Sequence, residues 1–274
     1  MTVCTLIHLN DPELCRVQTL ILETIRTGFP TAKIEVHQSF NVTGKLSITD
    51  QIDQVLPRCE DLKASYKQHT SVLHHADWIH RMLKEHNTEE PLVIVDPDVI
   101  FWDKFTPPDV EHGHLIAGRL IPSHRSEVGT EETPVIYNRR FDTSLLWFYN
   151  PSRLLTKLDC INPQPRNLNF TFSEYFPINF FRPVVVWDVG AAIFYDTCSN
   201  LYEAIDELAC FQEPQLNQYD HVGHACSYKS VRDIVFNKDD LDHVFYLAKI
   251  DPSKLKGLWR EQQAYYERRR STRK

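Results

Sequence analysis

The sequence predicts an α/β protein whose mostly parallel sheet is flanked by helices. Two observations carry that expectation. Strand-like and helix-like segments alternate through the first hundred residues, the pattern of a parallel sheet covered on both faces. That half then ends in an almost wholly apolar run, PLVIVDPDVIFW from Pro91 to Trp102, which reads as a strand buried on both sides.

Val3 to Leu9 reads as the first strand. Pro12 to Arg26 carries Leu14, Val17, Leu20, Ile21 and Ile25 at helical spacing, with Asp11 as cap and Pro12 in the first helical position. Phe29-Pro30 ends that helix, and Lys33 to His37 alternates as a second strand. Leu46 to Leu56 reads as helical, or as a loop with a short helix. A long helix is expected from Ser65 to His86, with Val72, Leu73, Ala76, Ile79 and Leu83 on one face. Further on, Leu115 to Ile121 and Leu145 to Phe148 read as strands. Pro183 to Phe194 reads as a strand with a sharp Asp-Val-Gly turn, and Tyr202 to Cys210 as a short helix. No internal repeat is visible. One domain over residues 1–250 is expected, followed by a helical basic tail over 251–274.

Composition narrows the class. The 274 residues are 42% hydrophobic and 24% charged, ordinary for a soluble globular protein, and no apolar stretch is long enough to span a bilayer. The first ten residues lack the basic region and apolar core of a signal peptide. Seven cysteines, at positions 4, 15, 59, 160, 198, 210 and 226, are scattered without a CxxC pair, which fits reduced thiols and a cytoplasmic location. The sequons at Asn41 and Asn169 carry little weight in that setting. From Lys254 onward eight basic residues face two acidic ones, so a tail of +6 follows a body of −13 within a net charge of −7.

The chemistry concentrates in the two aspartates of DPD. If the strand continues through them, Asp96 and Asp98 share a face, since residues i and i+2 do so. Two anions at the mouth of an apolar strand require a cation, a proton or water. Ligands bind parallel sheets just outside the carboxyl ends of the strands, which is where this pair stands. A divalent ion of the Mg²⁺ or Mn²⁺ type suits such oxygen donors. In YDHVGHACSY, His221 and His224 flank Gly223, which permits close backbone approach to a ligand. Either histidine is a candidate third ligand, and an imidazole shifts the preference toward Mn²⁺.

A strand–helix half, an apolar strand ending in DPD and a late His-x-Gly together resemble the GT-A glycosyltransferases, which use nucleotide sugars. The resemblance covers roughly Thr2 to Ser230, and the helix carrying HHADWIHRML, His74 to Leu83, is similar to the one that precedes Asp-x-Asp in many members. It implies a Rossmann-like GT-A domain with a nucleotide-binding half at 1–105 and an acceptor half at 106–250. It further implies a metal-dependent transfer of a sugar from a nucleoside-diphosphate sugar to an acceptor hydroxyl, on a glycan or a lipid-linked saccharide. Carried over, Asp98 is the direct ligand of Mn²⁺ or Mg²⁺, Asp96 contacts the ribose or the metal, and His221 completes the site. Leu9 and Asn10, just after the first strand, fall where such folds contact the base and ribose. Arg119, Arg139 and Arg140 are candidates for neutralising phosphates. Asp188, in VVVWDVGAA, resembles an Asp-x-Gly element before the acceptor cleft of some members and is the candidate base; shaping a turn is an equally good use of it. Retaining enzymes need no comparable base, so the stereochemistry stays open.

Other features have plainer readings. The aromatic run Phe170 to Phe181 and Trp187 suit core packing better than a stacking floor. His69, His74, His75, His80 and His86 read as a polar helix face, with no HExxH spacing. The basic tail suits a solvated helix, contact with an anionic membrane surface, or contact with nucleic-acid phosphates. That last use keeps an alternative open, a phage-type enzyme that glycosylates 5-hydroxymethylpyrimidine bases in DNA, though the acidic body argues against a broad DNA-binding face. Two further alternatives are a nucleotidyltransferase, disfavoured because LNDPELC has no glycine for a phosphate loop, and a non-catalytic module that binds sugar nucleotides.

Overall fold

The computed structural model describes residues 1–7, 22–39, 48–70, 73–97, 99–109, 113–121, 124–125, 135–137, 140–158, 164–166, 184–187, 208–221 and 256. In chain order the strands are β1 (Thr2–Ile7), β2 (Lys33–Gln38), β3 (Ser65–Gln68), β4 (Leu92–Val95), β5 (Val99–Phe101), β6 (Ile116–Ile121) and β7 (His124–Arg125). They continue with β8 (Val135–Tyr137), β9 (Arg140–Phe148), β10 (Gln164–Arg166), β11 (Val184–Trp187), β12 (Leu208–Cys210) and β13 (Tyr219–His221). The helices are α1, described over 22–28, α2 (Ile48–Asp61), α3 (His75–Glu85), α4 (Pro151–Leu155) and α5 (Glu213–Leu216). Seven strands form the main sheet in the order β12-β6-β9-β4-β1-β2-β3. Pairings β1–β2, β2–β3 and β12–β6 are parallel, while β6–β9 is antiparallel. The fold is therefore α/β with a mostly parallel sheet, as expected.

The chain divides into two compact units: 1–73 with 95–107 and 213–274, and 74–94 with 108–212. In the first, β1 is buried from Val3 to Ile7, and β2 from Ile34 to Gln38. The alternation expected of β2 is absent, because a strand between two parallel neighbours with both faces covered has no solvent side. A covered sheet also explains the continuous apolar runs, since burial of each such side chain stabilises the fold by about 1.5–3 kcal/mol.

The helix expected from Ser65 to His86 is corrected. Ser65–Gln68 is instead a strand that pairs parallel with β2, Glu35 opposite Ser65 and Gln38 opposite Gln68. Before Val72 that stretch offers Tyr66 as its main apolar anchor, too little for a helical stripe, whereas the open edge of β2 supplies backbone partners. The helix proper is α3, which buries Ala76, Trp78, Ile79, Met82 and Leu83. The short helix expected over Tyr202 to Cys210 is corrected at its end, because Leu208–Cys210 pairs with Ile116–Gly118 of β6. Residues 201–207 lie outside the described residues.

In the second unit, β9 runs antiparallel to β6 with a register shift between Gly118 and Leu120. A Cβ on Gly118 would come within 2.8 Å of the Phe141 ring, so only glycine fits this contact. The helix α4 follows with Pro151 in its first turn and Asn150 as cap, its side chain accepting from the Arg153 N–H at 2.9 Å. A smaller four-stranded sheet has the order β10-β11-β8-β7.

Candidate functional site

The sheet order reverses direction beside β1: the chain moves outward through β2 and β3, then returns to β4 on the other side of β1. In open α/β sheets ligands bind outside the carboxyl ends of the strands, where the strand order reverses. DPD follows β4 directly. The strand stops at Val95, and the Val99 N–H donates to the Asp96 carbonyl at 3.2 Å. The chain turns at Pro97, which favours the second position of a turn, after an aspartate, which favours the first. Strand β4 therefore ends before Asp96 rather than continuing through it. Asp96 is half-buried and Pro97 buried; Asp98 lies outside the described residues.

After the turn the chain enters β5, which pairs antiparallel with β13. Tyr219 faces Phe101, Asp220 faces Ile100 and His221 faces Val99. A residue more than a hundred positions away in sequence is thereby set opposite the first residue after DPD. Both His221 and Asp220 are half-buried. Asp220 also accepts the Trp102 indole N–H at 2.6 Å, while the Gln218 carbonyl accepts from the Trp102 backbone and its side chain from the Thr106 backbone, at 2.9 and 2.8 Å. These contacts hold β13 in one register on β5.

The other side of β5 is fixed by α1. The buried Phe101 N–H donates to Thr24 Oγ1 at 3.1 Å, and Phe105 donates to the Gly28 carbonyl at 2.9 Å. Phe29 meets Phe101 edge-on at 5.1 Å between ring centres, and Phe105 and Tyr219 close the cluster. An aromatic floor of this kind holds a turn rigid beside a site, the support a binding group needs.

Of the expected site residues, the structure describes Asp96, Arg119, Arg140 and His221. Arg119 is exposed on β6 in the second unit, and Arg140 opens β9. Leu9, Asn10, Asp98, Arg139, Asp188 and His224 lie outside the described residues, as do the run Phe170 to Phe181 and all of the basic tail except Lys256. Among the described residues, Asp96, Asp220 and His221 do not form a compact three-donor group; the one such group is Cys4, Glu35 and His37, all buried. His69, expected on a helix face, instead follows β3 and meets His37. Sequence reading missed both the Asp220 clamp and the Cys4 group. A signal existed for the second, in the i, i+2 spacing of Glu35 and His37.

No protein-family model and no curated protein matches the chain. Solved structures that it resembles include GlyE, a glycosyltransferase of Streptococcus pneumoniae TIGR4. The match to GlyE has 12% identity and a TM-score of 0.41, covering 96% of this chain and 63% of that one. The bifunctional glycosyltransferase WbbM matches at 12% identity and a TM-score of 0.35, over 57% of this chain and 32% of its own. The galactosyltransferase LgtC, crystallised with donor and acceptor sugar analogues, matches at 13% and 0.33, over 56% and 59%. The chain thus spans less than two thirds of each of these three proteins. At such TM-scores the likeness is loose, and the fold rests on the sheet itself. No described helix is long and apolar enough to cross a membrane.

Proposed function

We propose that the chain is a metal-dependent glycosyltransferase that moves a sugar from a nucleoside-diphosphate sugar to an acceptor hydroxyl of a glycan or lipid-linked saccharide. The observation that carries this reading is the β5–β13 pairing, which sets His221 opposite Val99, the residue that follows DPD. Two aspartates and an imidazole fit a manganese-type ion together with diphosphate oxygens. Asp96, Asp98 and His221 would hold it. Bound there, the ion supplies Lewis-acid stabilisation of the negative charge that grows on the leaving diphosphate.

The remaining roles fall to the chain's own groups. Leu9 and Asn10, beyond β1, contact the base and ribose, and Arg119 offers positive charge to the phosphates. Asp188, two residues before Gly190, takes the proton of the acceptor hydroxyl if the reaction inverts configuration.

The test is nucleoside-diphosphate release and sugar transfer across a panel of nucleotide sugars with Mn²⁺. Asp98→Asn is expected to lower turnover at least ~100-fold, the loss of about 3 kcal/mol of transition-state stabilisation, with the circular-dichroism spectrum unchanged. An unchanged rate in that variant removes Asp98 from the site. Full turnover in excess chelator refutes the metal assignment.

A further inference from the structure

A second group of donors lies within the sheet, on the first unit's paired strands β1 and β2. Cys4 and Glu35 stand opposite each other in the β1–β2 register, and His37, two residues along, shares the Glu35 face. One donor atom from each, sulfur, carboxylate oxygen and imidazole nitrogen, lies within 4.8 Å of the other two. Cys4 and His37 are 0% exposed and Glu35 2%. We propose that Cys4, Glu35 and His37 form a cation site for zinc(II), separate from the DPD turn, that ties β1 to β2.

The donor chemistry selects the ion. A thiolate with an imidazole and a carboxylate is a zinc set, whereas the oxygen-rich DPD turn suits a harder ion. Tetrahedral zinc with bonds of about 2.0–2.3 Å places its donors ~3.5 Å apart, so these donors must draw in by about 1 Å. The flexible Glu35 side chain can supply that closure.

The surroundings of His37 are those of a metal ligand. Its Nδ1 lies 2.9 Å from His69 Nε2, the outer hydrogen bond that orients a ligating imidazole. When His37 donates that proton, its Nε2 lone pair faces Glu35 Oε2 at 3.6 Å. In that tautomer the imidazole nitrogen and the carboxylate oxygen are both acceptors, and a cation between them would serve both.

Without the cation, lysines neutralise Glu35. Lys33 Nζ lies 2.7 Å from its carboxylate and Lys67 Nζ 3.1 Å. Their side chains are 64% and 43% exposed, so each ammonium can return to water when zinc takes the carboxylate. The competing account is a buried carboxylate held by its lysines and His37 alone, and it predicts no metal binding.

The experiment strips the full chain with chelator and titrates Co²⁺, then Zn²⁺. A thiolate-to-cobalt charge-transfer band should grow, saturate and disappear as Zn²⁺ displaces the cobalt. Cys4→Ser should abolish the band, and Asp96→Asn should leave it, because an oxygen and nitrogen site gives no thiolate transition. Should Cys4→Ser fail to fold, the isosteric Glu35→Gln provides the second readout. Zn²⁺ should raise the melting temperature of the wild type and leave that of Glu35→Gln where it was. Absence of the band in the wild type, its persistence in folded Cys4→Ser, or an equal zinc shift in Glu35→Gln overturns the proposal.

Discussion

Gly28 closes α1 where the ring of Phe101 lies against the backbone. A Cβ there would come within 2.6 Å of two ring carbons, Cγ and Cδ1, so an alanine must push the ring aside. That ring also packs on Phe29 and Phe105, and the Gly28 carbonyl accepts from Phe105. Overpacking of this kind costs about 1–3 kcal/mol, so Gly28→Ala is expected to lower the urea midpoint by a corresponding amount; an unchanged midpoint would mean the ring has room to move. A second residue-scale prediction concerns the indole–carboxylate bond between Trp102 and Asp220. A hydrogen bond to a charged group contributes about 1.5–3 kcal/mol. Trp102→Phe should lose that much, whereas Asp220→Asn, which retains an acceptor, should lose less. Equal losses in the two variants would show that the carboxylate's charge carries the whole bond; a negligible loss in Asp220→Asn would show that ring volume dominates. Neither contact was legible from the sequence, because each joins positions far apart in the chain and no local pattern encodes the pairing.

At the scale of single elements, α2 buries Cys59 and exposes much of its opposite side. Burial, with the Glu60 carboxylate adding repulsion, pushes the Cys59 thiol from its usual 9.0 up to about 11. The raised group is an acid whose neutral form the folded state favours. Its contribution is therefore fully present below pH 9 and is lost as pH rises toward 11. Wild-type stability should decline across that window, and Cys59→Ala should flatten the slope there; parallel pH profiles for the two proteins would assign the alkaline loss elsewhere. Element types were legible where the pattern was strong. The apolar LVIV is β4, the amphipathic HADWIHRMLKE is α3, and both stand where periodicity puts them. Ser65–Gln68 failed as a helix because its strand character comes from β2's open edge, a partner that the local sequence does not contain. DPD stands at the end of a strand as expected: β4 stops at Val95, because Asp-Pro suits a turn better than a ladder.

For the molecule as a whole, the sheet order is what gives the DPD turn its meaning. The motif alone is two aspartates around a proline; beside a strand-order reversal it stands at the one end of the sheet where ligands gather. Part of this was readable in advance, since the alternating strands and helices of the first hundred residues imply a parallel sheet. The partner strand was not, for Tyr219–His221 reaches β5 only through the full return of the chain. If the site binds a nucleotide sugar with a metal, ligand and ion should stabilise the fold together. At a ligand concentration of 100 times Kd the gain is ~2.7 kcal/mol. With about 2–4 °C per kcal/mol for a chain of this size, melting should rise by roughly 5–10 °C in Mn²⁺ with the correct nucleotide sugar. Neither component alone should reproduce that rise, and His221→Ala should reduce it. A rise with nucleotide sugar that is unchanged by chelator would instead favour a metal-free binding cleft, and no response to any nucleotide sugar would remove the nucleotide from the site.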